Sequence, residues 1–107
     1  MLYDAALRNC ETGKCAIEEG DLEKQNDHLG KAQRIISELT ASLDMEQGGE
    51  IAQNLFGLYT YCLNELSRAN TEDKADSVDN CTRVLSELRT SWQQIHDRQP
   101  LEAGSGG

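Results

Sequence analysis

This chain predicts an all-α fold, an antiparallel up-down-up-down four-helix bundle, and three observations carry the prediction. Apolar residues recur at helical spacing in four successive segments of the 107 residues. Only a few residues separate those segments, which forces sequential helices to run antiparallel. The single proline, Pro100, lies beyond the last clear stripe, so nothing in the body interrupts long helices. No alternating strand pattern competes. Each helix should hold about 20 to 25 residues and measure about 30 to 37 Å.

In the first helix, Leu2, Tyr3, Ala6, Leu7, Cys10 and Ile17 gather on one face. Gly13 shares that face, which points to close approach by a neighbouring helix. Gly20 sits where a C-cap glycine belongs, and Asp21 can cap the next helix. The second stripe is Leu22, Leu29, Ala32, Ile36, Leu39 and Leu43, flanked by His28 and Ile35. His28 is expected as a half-exposed boundary residue. Gly48-Gly49 should terminate that helix and reverse the chain, leaving Glu50 to favour the dipole of the next. The third helix is expected from Gly49 to Ala69, with Ile51, Leu55, Leu58, Tyr59, Cys62, Leu66 and Ala69 toward the core. Thr71 is the expected N-cap of the fourth, with Glu72 and Asp73 in its first turn. Its stripe is Val78, Cys81, Leu85, Leu88, Trp92 and Ile95. Trp92 should fill the core near its end, its indole N–H reaching a neighbour or solvent.

A chain of this length forms one domain and buries roughly two-thirds of its unfolded surface, enough for a core without metal or disulfide. The bundle should occupy residues 1–98. Residues 99–107, closing on Gly104-Ser105-Gly106-Gly107, read as a flexible tail with a linker or tag remnant. With 37% hydrophobic residues and a mean hydropathy of −0.63, the fold must segregate its apolar side chains efficiently. A formal charge of −9 argues against nucleic acid or an anionic membrane as partner. There is no apolar run of spanning length and no leader at Met1, so a cytosolic protein is expected.

Cys10, Cys62 and Cys81 fall on apolar stripes, where a free thiol acts as a small hydrophobe, whereas Cys15 falls off its stripe. Cys10 and Cys15 lack zinc-knuckle spacing, and reduced structural thiols are expected. Di-iron bundles need Glu-x-x-His pairs, but Gln25 precedes His28 and Gln93 precedes His96. Gly48-Gly49 lacks the Lys and Ser/Thr of a phosphate loop. No enzyme, metal or cofactor is expected.

The third helix carries more apolar surface than one core seam needs. Ala52, Phe56 and Leu63 widen its arc on one side, Asn54 and Tyr61 stand on the other, and Leu58 lies between that flank and the core. A wide arc can serve two core neighbours, or it can receive a partner helix in a groove.

The ordered series Leu43-Asp44, Gly48-Gly49-Glu50-Ile51-Ala52, Asn54-Leu55, Leu58-Tyr59, Tyr61 and Ala69-Asn70 resembles the centre of the flagellin-specific export chaperones, the FliS family. The resemblance extends from Leu2-Tyr3-Asp4 to Leu88-Arg89 and Trp92. It departs at Ala5, where the family usually has Gly, and at Cys10, which replaces a larger aliphatic. Family members also carry a segment before the Leu-Tyr-Asp motif. Its absence should leave the first helix short and a seam between its neighbours partly uncovered. The resemblance implies a four-helix bundle that binds the disordered C-terminal segment of flagellin, prevents premature polymerisation, and delivers it to the flagellar export gate without cofactor or ATP. It assigns partner binding to Ile51, Asn54, Leu58 and Tyr61. The alternative is a structural or regulatory helical adaptor without a flagellin client.

Overall fold

The computed structural model describes the backbone of residues 2–106 and the side chains of residues 2–94. The expectations for Ile95 and His96 fall on side chains outside the described residues, and over 99–106, where a tail is expected, the described backbone continues α4. Four helices follow in order: α1 (Leu2–Glu19), α2 (Leu22–Ala41), α3 (Gly49–Glu72) and α4 (Ala75–Gly106). Backbone contacts close them into a ring, α1 against α2, α2 against α3, α3 against α4, and α4 back against α1.

Cross-helix pairs give the directions. Asp4 meets Arg89 at 3.1 Å and Lys14 meets Asp79 at 2.8 Å, so α4 descends as α1 ascends. Gln25 near the start of α2 reaches Asn70 near the end of α3. Glu65 meets Asn80 across the tight α3–α4 turn. The arrangement is the up-down-up-down bundle that the periodicity predicts.

Small residues set how closely α1 lies on its neighbours. Ala6, Cys10, Gly13 and Ala16 are its buried positions. A Cβ built on Gly13 would stand 2.5 Å from a Leu29 methyl carbon, so the expected close approach is present. Leu29, Ile36, Leu66 and Leu85 supply the largest fully buried apolar side chains.

The first two connections follow their local chemistry. Gly20 takes φ +75, and the Asp21 carboxylate accepts the Lys24 N–H at 3.1 Å. Gly49 takes φ +54. Gly48 leaves room for Asp44 O and the Ala52 methyl, both under 3.0 Å from where its own Cβ would lie, at 2.7 and 2.6 Å.

The third connection departs from expectation. α3 continues past Ala69 to Glu72, so Thr71 and Glu72 close α3 instead of opening α4. No glycine marks this end. Asp73 adopts the left-handed C-cap conformation at φ 56, which Asp tolerates better than most residues. Its Oδ1 also accepts from Gln25 Nε2 at 2.9 Å. Glu72, unfavourably placed at a helix C-terminus, is flanked by Arg68 at 3.3 Å and Lys74 at 3.5 Å.

Four expected core residues, Leu2, Leu22, Ile51 and Trp92, lie exposed at the rim. Leu22 and Ile51 occupy first turns and are exposed, and the seams begin in earnest at Gln25 and at Ala52 and Leu55, which are buried. Trp92 is 41% exposed. It lies level with Tyr3 near the start of α1, and its N–H finds a partner there.

Candidate functional site

Residues 51, 54, 58 and 61 advance by three, four and three positions, which keeps them on one face of α3. The structure leaves all four exposed: Ile51 at 67%, Leu58 at 37%, Tyr61 at 43%, and Asn54 in the exposed class. Ile51 therefore belongs to this outer row and not to the core stripe. Leu58 stands at the boundary, as its position on the helix dictates.

The cross-helix pairs show which flank this is. Cys62 and Glu65, on the near edge of the row, face Cys81 and Asn80 of α4. Asn70, on the opposite edge, faces Gln25 of α2. The row thus borders the α3–α4 seam. The antiparallel register brings Val84 and Leu88 of α4 alongside it, both half-buried against the core. Sequence reasoning placed Leu88 only in the core and did not single out Val84. The four-residue steps Asn80, Val84, Leu88 were the available signal. Phe56 is exposed and Leu63 half-buried on the α2 side, where they do not join the row.

A polar cluster ends the row. Glu65 is buried at 8% exposure and accepts from Asn80 Nδ2 at 2.9 Å. Arg83 Nη1 donates to Asn80 Oδ1 at 3.5 Å. Tyr61 precedes Glu65 by one turn on the same face of α3. Desolvation and then the Glu65 carboxylate push its phenol above the ordinary value, with Arg83 acting in the opposite sense.

At the other end of the row, Trp92 Nε1–H donates to Tyr3 Oη at 3.0 Å, and Tyr3 Oη shares a hydrogen bond with Tyr59 Oη. Three helices are tied by this chain. Tyr59 is buried, and burial first, then the bond to Tyr3, raises its phenol pKa well above normal. Leu2, Met45, Ile51 and Trp92 are all exposed around this end of the bundle.

The expected thiol chemistry holds. All four cysteines are free, with Cys10, Cys62 and Cys81 buried and Cys15 exposed. Cys81 is held protonated by its contacts with Cys10 and Cys62 and by burial. His28 is half-buried, its Nδ1 at 2.9 Å from Asn9 Oδ1. Among the described residues no group of His, Cys, Asp or Glu is arranged to hold a metal ion, and no helix is long and apolar enough to cross a membrane. A cleft of about 360 Å³ between α1 and α4, lined by Asp4, Arg8, Glu11, Thr82, Ser86 and Arg89 with Leu7, lies on the far side of α4 from the exposed row. The geometry suits recognition of an apolar helical surface by α3 and α4.

The profile of the family described as Flagellar protein FliS matches residues 1–99. A flagellar secretion chaperone FliS of Vibrio cholerae is 35% identical, the match covering 97% of this chain and 79% of that protein. One from Campylobacter jejuni is 36% identical over 94% of this chain and 79% of its own length. One from Salmonella typhimurium is 38% identical over 95% and 76%.

Proposed function

This chain belongs to the FliS family of flagellar proteins, and from that premise we propose that it is a cytosolic export chaperone for flagellin. It holds the C-terminal segment of unpolymerised flagellin against α3 and α4 and presents the complex to the flagellar export gate. The observation that carries this reading is the exposed row Ile51, Asn54, Leu58 and Tyr61 beside the half-buried Val84 and Leu88. A row from 51 to 61 is about 15 Å long, three turns of a partner helix. A segment that buries its apolar face only in the finished filament needs cover until then, and coupled folding onto a groove supplies it.

The chaperone acts by occupancy. Ordering the client costs a few kcal/mol, so competition at the export machinery suffices to release it. Circular dichroism of the chain mixed with a flagellin C-terminal peptide tests the assignment. The mixture should show more helix than the sum of its parts. A spectrum equal to the sum, with no heat of binding by calorimetry, would favour a helical adaptor with another partner.

A further inference from the structure

Six glycines lie within residues 2–94, and the fold accounts for four of them. Neighbouring atoms fill the space beside Gly13 and Gly48, and Gly20 and Gly49 take positive φ. Gly30 and Gly57 have neither reason. Both lie inside helices, where glycine is less favourable than any residue but proline. A Cβ built on either would meet no atom within 4 Å among the described residues. Alanine would therefore fit both positions and strengthen both helices.

The two differ in what surrounds them. The residues one turn to either side of Gly30 are Asn26, Asp27, Gln33 and Arg34, all polar. Gly57 instead follows Asn54 by three positions and precedes Tyr61 by four, so it adjoins the exposed row. Phe56 and Leu58 stand about 100° to either side of it around the helix, and both are exposed, as Tyr61 is. Gly57 is thus a bare stretch of backbone among three exposed apolar side chains.

We propose that Gly57 is a notch in the docking face, the point at which the client helix crosses α3 with the two backbones close together. The inference rests on the reading of this α3 face as the client-docking surface. Helix axes approach to about 8 Å only where the side chains at the crossing are small. A glycine that no neighbour in its own chain requires is the residue that permits such an approach. Leu58 and Tyr61 then flank the crossing on the side of the row, and Phe56 flanks it on the α2 side. The same glycine weakens the free helix, so stability and binding pull in opposite directions at this one position.

The test measures both on the full chain: the urea midpoint of the free protein, and calorimetric affinity for a flagellin C-terminal peptide. Gly57→Ala should raise the midpoint and weaken binding about tenfold, as a methyl group forced into a filled contact does. Gly57→Gln, also a better helix former than glycine, should keep a midpoint at or above the parent's and bind more weakly still. Gly30→Ala should raise the midpoint too and leave affinity unchanged. A merely structural Gly57 would move stability and binding together, or leave binding alone. The notch is overturned if both Gly57 variants bind as the parent does, or if Gly57→Ala lowers the midpoint. Tyr61→Ala separates this from the wider reading: weakened binding there, beside normal Gly57 variants, removes the notch and keeps the docking face. If Tyr61→Ala also binds as the parent does, or the peptide binds no form of the chain, the docking face is misassigned and the notch falls with it.

Discussion

Gly13 leaves empty the space that a Leu29 methyl group occupies. Gly13→Ala gains helix propensity, roughly 1 kcal/mol. It also forces a methyl group into a position 2.5 and 2.8 Å from two carbons of a fully buried leucine. Overpacking of this kind costs about 1 to 3 kcal/mol, so net destabilisation is expected, read as a lower urea midpoint. Pairing the change with Leu29→Ala should recover part of the loss. Gly13 was legible in the sequence because it sat on an apolar face. Gln25 was not. Its amide bonds to Asn70 and Asp73, forty-five and more positions away, and no local pattern announces so distant a partner. The same bond supports Asp73 in the left-handed conformation, so the misplaced end of α3 and the unnoticed Gln25 have one cause.

On a single helix, period and position can disagree. The 3.6-residue period placed Asn54 and Tyr61 off the seam of α3, where they are exposed, but it also assigned Ile51 and Leu58 to the core. Periodicity carries no information about where along a helix its neighbours end, and the first turns of α2 and α3 lie at the rim. The register between α3 and α4 was likewise beyond reach, which is why Val84 went unremarked. These placements separate two residues of the row. Tyr61→Ala should leave stability within about 0.5 kcal/mol, as surface truncations do, and weaken flagellin-peptide binding by about 1 to 2 kcal/mol or more, as for an aromatic anchor. Leu58→Ala, half in the seam, should lose both binding and about 1 kcal/mol or more of stability. Parallel denaturation and calorimetry check the pair. Equal stability losses for both would make the row structural.

Taken as a whole, the bundle holds its protons tightly on the alkaline side. Burial with the Tyr3 bond keeps the Tyr59 phenol protonated, whereas the paired thiols shift in opposite senses, Cys81 upward and Cys62 downward. The unfolded chain releases a phenol proton near about pH 10. Above that value the unfolded state has lost the proton that native Tyr59 keeps, so stability falls as pH rises. The Tyr59 contribution is complete below about pH 10. The urea midpoint should therefore be flat through neutrality and decline in alkali, and Tyr59→Phe should remove the part of the decline that begins near about pH 10. Because all four thiols are free, a reductant should leave the melting temperature unchanged. Cys62→Ser should lower stability by about 1 to 3 kcal/mol, since it buries a hydroxyl where sulfur had only a weak contact, 3.9 Å from Cys81 O.

The bond from Trp92 to Tyr3 gives the molecule an optical handle. Trp92 is the only tryptophan in the chain, half-shielded by packing and tied at its indole nitrogen to the opening turn of α1. Its emission therefore reports one event, the seating of α1 on α4. If α1 lifts while the other three helices stay together, the indole becomes fully wet and its fluorescence shifts to the red before the far-ultraviolet helix signal changes. Stopped-flow records of that shift would time the closing of the helix ring separately from the formation of its helices.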